Sequence, residues 1–330
     1  MNTKFKAFVV RETESGVFKS AIEERKVDDL TAGDLLIKVS FSSINYKDAL
    51  SASGNKGVSK NYPHTPGIDA AGVIADSSST KFKIDDKVVV TGYDLGMNTS
   101  GGFAEYIRVP EEWVLKLPSN ISLEQSMGIG TAGLTAGMCI KLLEQKNSII
   151  EKEAIVTGAS GGVGCLSVYL LSKLGARVTA VTSKNDAHDF LSSIGAKTII
   201  NREQMLGQFR HPLSRSRYDI GIDVVGGDVL SGLLTCMKRE GTITCCGNVA
   251  GADFKTSVFP FILRGNSLIG VDSAERQLSE KEWLWKMFAS DWNIDCLDKI
   301  YRTVSIDNLE SEIEKILKGG QIGRVVVAMQ

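Results

Sequence analysis

The sequence predicts a two-domain chain: an irregular antiparallel β-barrel in front, then a doubly wound parallel α/β sheet, then a closing segment that returns to the barrel. Three observations predict it. Glycines 158, 161 and 164, spaced three apart, stand between the apolar run 154–156 and an apolar helical stretch over 165–174. From there strands and helices alternate for more than a hundred residues. Ahead of the glycines, short β-rich runs are divided by glycine, proline and serine.

The glycine run Thr157-Gly158-Ala159-Ser160-Gly161-Gly162-Val163-Gly164 carries the most chemistry. A Cβ at any of its three spaced glycines would block the tight turn, the approach of a pyrophosphate or the packing of helix on strand. The helix that follows presents about half a positive charge to phosphate oxygens. A dinucleotide site is the expectation. Strands are expected at 177–182, 198–201, 220–225, 241–247 and 267–271, with helices at 186–194 and from Gly226-Gly227 through Lys238. With 154–156 these make six strands of one parallel sheet.

The identity of the dinucleotide is read at the end of the second strand, where an acid normally takes the adenosine ribose hydroxyls. Thr182-Ser183-Lys184 stand there instead. Two hydroxyls and an ammonium suit a 2′-phosphate, each charge-assisted bond contributing about 1.5–3 kcal/mol, so NADP is favoured over NAD. Arg202 reads equally as a second phosphate cation or as a solvated loop arginine. Asp186 suits a helix start.

In the front half, strands are expected at 35–41, 71–74 and 87–91, and this part is expected to carry the substrate. After the sixth strand come a Trp-rich helix at 280–290, an amphipathic helix at 311–318 and a last strand at 323–329. With a boundary near 122–130, the expected domains are 1–125, 126–270 and a return segment 271–330.

Composition narrows the function. The chain has 330 residues and 43% hydrophobic content, ample for two cores. A net charge of −1, with 38 Lys and Arg residues scattered, disfavours a nucleic-acid partner. The start lacks the apolar core of a signal peptide and no apolar run approaches a membrane span, so a cytoplasmic address and no membrane partner are expected. The six cysteines form no CxxC pair and read as buried small hydrophobes. Three histidines, without HxxxH or HExxH, leave no metal-ligand set.

These features together resemble the medium-chain dehydrogenase/reductase superfamily, with its GroES-like catalytic domain and Rossmann cofactor domain, over nearly the whole chain. More narrowly, Ile44-Asn45-Tyr46-Lys47-Asp48-Ala49-Leu50, Pro66-Gly67-Ile68-Asp69, Gly101-Gly102-Phe103-Ala104-Glu105-Tyr106 and Pro260-Phe261-Ile262-Leu263-Arg264 resemble the YhdH/YhfP quinone oxidoreductase family, relatives of acrylyl-CoA reductase. Zinc members of the superfamily carry a cysteine where Asn45 stands and a histidine where Ile68 stands, so the resemblance is to the metal-free branch.

The resemblance implies hydride transfer from NADPH to a quinone, an enone or an acyl-CoA such as acrylyl-CoA. Such chemistry needs positioning, a donor to the developing enolate oxygen and a proton source. Asn45, Tyr46 and Asp69 are the catalytic candidates: Asn45 as donor, Tyr46 as nicotinamide contact or proton relay, Asp69 holding either. Their bland alternatives are a turn cap, a packed ring and an acceptor of backbone amides. Cofactor contacts implied by the resemblance are Tyr46, Ser160, Gly161, Gly162, Val163, Thr182, Ser183, Lys184, Arg202, Asn248, Ile262, Ser273 and Arg324. Asn248 has separate support in following the fifth strand at its carboxyl end. Lys47, Lys56, Lys60 and Arg264 are candidate cations for coenzyme A phosphates, or ordinary surface charges.

Two other readings compete. Thr157 to Gly164 also fits the TGxxxGxG of short-chain dehydrogenases, but nearly half of the chain precedes it and the sole Tyr-x-x-x-Lys, Tyr169 to Lys173, lies in the adjoining helix. A non-catalytic NADPH-binding relative, structural or RNA-binding, is the second. Relatives pair their sixth strands, and the apolar edge 267–271 is expected to build a homodimer.

Overall fold

The computed structural model describes residues 3–146, 148–207 and 211–329, and they form two compact units, Met1–Thr131 with Ala274–Gln330, and Ala132–Ser273. Met1, Asn2 and Gln330, which fall in the expected domains, lie outside the described residues.

The first unit opens with a hairpin of β1 (Lys4–Glu14) and β2 (Val17–Lys26), turned at Gly16 with φ +79°. No strand was expected there, because β2 is mostly exposed and shows no apolar face to the sequence reader. Then follow β3 (Leu35–Ser43), α1 (Tyr46–Ala52), β4 (Asp69–Ser77), β5 (Lys87–Thr91), β6 (Tyr106–Val109) and β7 (Val114–Lys116). The strand expected at 71–74 is longer than that at both ends, β4 taking in Asp76 and Ser77.

The chain next enters α2 (Leu123–Glu144), whose helix is interrupted at Gly130 with φ 51° and ψ −161°. It is long and apolar enough to pass for a membrane span, with a mean hydropathy of 1.3, which corrects the expectation that no run approaches one. Its apolar window is 83% buried, as in the core helix of a globular chain.

The second unit holds β8 (Glu153–Val156), α3 (Gly162–Lys173), β9 (Arg177–Val181), α4 (His188–Ser193), β10 (Ala196–Ile200), α5 (Arg202–Leu206), β11 (Tyr218–Asp223), α6 (Gly227–Thr235), β12 (Met237–Cys245), α7 (Phe259–Arg264) and β13 (Ser267–Gly270). All six strands pair in parallel in the order β10-β9-β8-β11-β12-β13, the doubly wound sheet expected from the sequence. Short β-branched runs such as Ala154-Ile155-Val156 are wholly buried, as strands covered by helices on both faces must be. The helix α6 stops at Thr235 rather than Lys238. Leu-Leu-Thr-Cys-Met holds no breaker, and pairing with β11 claims Met237 for the sheet.

From Ala274 the chain belongs to the first unit again, as α8 (Leu278–Phe288), α9 (Leu297–Ile300), β14 (Tyr301–Ser305), α10 (Leu309–Leu317) and β15 (Arg324–Ala328). The last strand joins β14 and β3, completing a seven-stranded sheet β14-β15-β3-β4-β5-β7 with β6 also on β3. Its core gathers Phe8, Leu35, Ile37, Ile74, Phe103 and Val325, among others.

Candidate functional site

The polar centre of the first unit is built where β3 ends and α1 begins. Asn45 caps α1, and Asp48, at the third helical position, reaches back to accept the Asn45 backbone N–H at 2.8 Å. The Asp48 carboxylate also accepts from Asn45 Nδ2 at 3.2 Å and from the Ile68 N–H at 2.8 Å. It is fully buried, and burial first, then the nearby charge of Asp69, push its pKa up to about 7.

Asp69, the first residue of β4, is the hub. It accepts from Ser43 Oγ at 2.7 Å, Asn45 Nδ2 at 2.8 Å and Thr131 Oγ1 at 2.6 Å, and from the Thr131 N–H at 3.0 Å. Gly130 makes the last two contacts reachable, since a Cβ there would lie 2.7 Å from Asp69 Oδ2 and 2.8 Å from Arg324 Nη2. Arg324, on β15, stands 3.8 Å from Asp69 and is 1% exposed. Its N–H groups donate to Gly128 O, Ile44 O, Asn45 Oδ1, Ser43 Oγ and Met127 O at 2.7 to 3.3 Å.

These contacts bear on three assignments. Both hydrogens of Asn45 Nδ2 face carboxylates, leaving none for a substrate oxygen. Asp69 is wholly buried and its carboxylate accepts from Asn45 Nδ2 at 2.8 Å, one of the two side chains it was expected to hold. Arg324 directs its whole guanidinium at acceptors of its own unit instead of at a cofactor. Tyr46 differs: it is half-buried, and its phenol has no hydrogen-bond partner among the described residues.

The second unit contributes a nearly uncharged cradle. Gly158 turns with φ +59°, and a Cβ on Gly164 would lie 2.2 Å from Gly158 O. Gly161 has room, its nearest neighbour at 3.4 Å, as a backbone that must admit a ligand requires. The first helical bond from the turn is Cys165 N–H to Gly161 O, so the N–H groups of Gly162 and Val163 lead α3 without acceptors among the described residues. Glycines with room for a backbone approach, and open donors at a twelve-residue helix without an acid in its first turn, fit a diphosphate.

At the adenosine end, Thr182 is buried and its hydroxyl meets Ser160 Oγ at 2.9 Å and the Lys184 N–H at 3.2 Å. Thr182 and Ser160 therefore brace the turn, which corrects the expectation that the Thr182 hydroxyl faces a phosphate. Ser183 and Arg202 are exposed and Lys184 is half-buried, so these three remain at the surface of the strand ends. Asn248 is exposed just past β12, Ile262 is 68% exposed on α7, and Ser273 Oγ accepts from Thr135 Oγ1 at 2.7 Å.

Sequence reasoning missed Asp223, the buried end of β11. It accepts from Thr157 Oγ1 at 2.6 Å and the Gly226 N–H at 2.8 Å, tying the ends of β8 and β11 where the strand order reverses. Burial raises its pKa. An acid closing an apolar strand before Val224-Val225-Gly226-Gly227 was the signal. Asp48 lay within a quoted motif without a role, and Ser43 and Thr131 carried no local signal.

Two of the candidate coenzyme A cations are engaged elsewhere. Lys56 pairs with Glu12 at 2.7 Å over the rings of Phe18 and Tyr62. Arg264 donates to Thr235 O, Met237 O and Ser214 O. Lys60 is exposed, and Lys47 lies 3.8 Å from Met97 Sδ. Cys139, Cys165 and Cys236 are buried as expected, but Cys245, Cys246 and Cys296 are half-buried. Burial pushes the Cys236 thiol up to about 12, far from a reactive thiolate.

Comparison with known proteins agrees with this geometry. Residues 31–119 match the family model of the alcohol dehydrogenase GroES-like domain, and residues 162–290 match that of zinc-binding dehydrogenases. Among the described residues no group of three or more His, Cys, Asp or Glu side chains is placed to hold a metal ion. The putative quinone oxidoreductase YhfP of Bacillus subtilis is 36% identical, covering 100% of both chains. Its crystal structure with NAD bound superposes with a TM-score of 0.95, over 99% of this chain and 100% of that one. At this identity the two are relatives, not one protein. The acrylyl-CoA reductase AcuI of Ruegeria pomeroyi is 35% identical over 98% of both. The yhdH oxidoreductase of Salmonella enterica, solved with NADP, is 34% identical with a TM-score of 0.94, over 98% of this chain and 100% of that one. Full-length likeness to these proteins sets the short-chain dehydrogenase reading aside.

Proposed function

The chain belongs to the YhdH/YhfP quinone oxidoreductase family of medium-chain dehydrogenases/reductases, and on that premise we propose that it is an NADPH-dependent, zinc-independent oxidoreductase. Its acceptor is a quinone or an α,β-unsaturated carbonyl or thioester such as acrylyl-CoA. The observation that carries the reading is the glycine cradle of the second unit, with open Gly162 and Val163 donors, in a chain alike over its full length to relatives solved with NADP or NADPH.

When bound, NADPH supplies the hydride. The unit Ala132–Ser273 would bind it: Gly162 and Val163 would hold the diphosphate by backbone N–H groups, Gly161 leaving room for its approach, while Ser183, Lys184 and Arg202 would hold the 2′-phosphate. Asn248 and Ser273, which follow the carboxyl ends of β12 and β13, and Ile262 on α7 would complete the cofactor contacts, and Ser160 with Thr182 keeps the turn in shape. In the first unit, the Tyr46 phenol would donate to the acceptor oxygen that gains negative charge. The proton for the neighbouring carbon comes from Tyr46 or solvent. Asn45 and Asp69 position the start of α1. Zinc independence is supported by Asn45 and Ile68 at the positions where zinc relatives carry cysteine and histidine.

The same proposal includes a cytoplasmic homodimer. Six free cysteines suit a reducing compartment. The strand β13 ends its sheet, and neighbouring α7 with its lead-in exposes Val258, Phe259, Ile262 and Leu263. A dimeric mass by light scattering is expected, and a monomer at micromolar concentration refutes it.

The test of function follows NADPH oxidation with 1,4-benzoquinone and with acrylyl-CoA, using NADH as control. Turnover with either acceptor is expected. NADPH binding without turnover of either would move the protein to the non-catalytic class, and equal use of NADH would refute the 2′-phosphate assignment.

A further inference from the structure

We infer that Asp48 is a positioning residue for the proposed reaction: ionised, it locks the Asn45 amide and the start of α1 beneath Tyr46, and protonated it releases them. The inference rests on the assignment of Tyr46 to the acceptor site.

Three groups converge on the buried Asp48 carboxylate, and all are N–H donors: Ile68 N at 2.8 Å, Asn45 N at 2.8 Å and Asn45 Nδ2 at 3.2 Å. None can accept. A carboxyl proton would take the one unused acceptor position, on Oδ1, find no acceptor among these groups, and weaken the bonds to all three by removing the carboxylate charge. The Asn45 Nδ2 contact is the longest and the first to give way. The amide cannot compensate by flipping, because Asn45 Oδ1 accepts from Arg324 Nη1 at 3.0 Å. Its single NH2 bridges two carboxylates, Asp48 at 3.2 Å and Asp69 at 2.8 Å, and loss of one side leaves Asn45 held by Asp69 and Arg324 alone.

Few other charges reach this place. Asp69 on β4 and Arg324 on β15 are the charged groups of the network. Lys47, on the same helix, lies beside Met97 Sδ. On α10, which packs on α1, Glu310, Glu312 and Glu314 interact with Ser20, Arg302 and Lys318, and Lys315 completes its charges. Asp94, in the loop after β5, accepts from Asn98 and Thr99, and His64 lies against Gly96 O. The burial that raises Asp48 to about 7 places the change in the neutral range.

The test pairs a pH profile with a signal independent of turnover. In full-length protein with labelled asparagine, the Asn45 side-chain amide resonance is followed from pH 5.5 to 8.5 alongside kcat with NADPH and benzoquinone. The expected result is one transition near neutrality in both, kcat falling about tenfold per pH unit on its acid side. Asp48→Asn, which cannot ionise, is expected to be slower and to lose that limb. A limb that persists in Asp48→Asn, or a rate level through the Asn45 transition, overturns the inference alone. Absence of turnover at every pH overturns the assigned reaction and the inference with it. Should the variant fail to fold, the coincidence or separation of the two wild-type transitions decides.

Discussion

The two units prepare for chemistry in opposite ways. Around Asp69 every polar atom already has a partner: two buried carboxylates, one guanidinium, an amide and two hydroxyls satisfy one another. Around the glycine turn the N–H groups of Gly162 and Val163 have none among the described residues, and the turn carries no charge. The difference separates a frame from a receptacle. A closed polar network fixes where the side chains at the start of α1 stand, because displacing any member leaves a buried charge unpaired. An open row of backbone donors suits an anion, and its rigidity comes from Gly158 and Gly164, too closely packed to accept a Cβ.

The sharpest way to break this contrast is Arg324→Met, which leaves Asp48 and Asp69 buried without their cation. A cost of about 3–5 kcal/mol is expected, lowering the melting temperature by roughly 10 °C in calorimetry. A melt within a degree or two of the parent would mean that the network is not a frame. In the second unit, Gly164→Ala drives a Cβ to 2.2 Å from Gly158 O and is expected to weaken NADPH binding by about 100-fold, read by titration. Gly161→Ala, with its nearest neighbour at 3.4 Å, should keep the apo fold and its melt. If both variants bind NADPH as tightly as the parent, the turn is not the receptacle.

Lys184→Ala combined with Arg202→Ala sharpens the cofactor assignment. NADPH affinity is expected to fall by about 10- to 100-fold while NADH affinity stays level, measured as paired dissociation constants. A parallel fall for both dinucleotides would place these cations away from the 2′-phosphate.

The smallest effect is one of sign. Asp48 binds its proton more tightly in the folded chain than its ordinary value of 3.8 allows, rising to about 7. Between those limits the folded state retains a proton that the unfolded chain has released, so this contribution to stability is present at the acid end and lost as pH rises through about 7. His64 acts oppositely, its pKa held below 6.5 by burial, so its contribution is lost as pH falls below 6.5. The difference in melting temperature between Asp48→Asn and the parent isolates the first term. It is expected to shift in favour of the variant from pH 6 to pH 8, and a difference independent of pH counts against it. Stability and rate thus favour opposite protonation states of one carboxylate.

Much of the second unit was legible in the sequence. Its strands are short apolar runs punctuated by glycine, and parallel pairing tolerates few other patterns. The hairpin of β1 and β2 was not, because a strand exposed along most of its length carries no periodic signal, although the Ser15-Gly16 turn was there to be read. The strand β14 was missed for the same reason, its side chains being at most half-buried. At the site, residue types were legible and few roles were, the contact of Asp69 with Asn45 and the cap at Asn45 among them. Asn45, Tyr46, Asp69 and Arg324 were all singled out, yet only Tyr46 keeps an unengaged polar group.

By itself the sequence determined what local physics can: a doubly wound sheet, a glycine turn for a diphosphate, and an adenosine end without an acid. Each depends on residues within a few positions of one another, where spacing and the absence of a Cβ set the backbone. Tertiary structure alone decided that residues 43, 45, 48, 69, 131 and 324 form one buried network and that Thr182 braces Ser160. Partners so far apart along the chain leave no periodic trace, and the burial that turns a carboxylate into a frame exists only once the strands have closed around it.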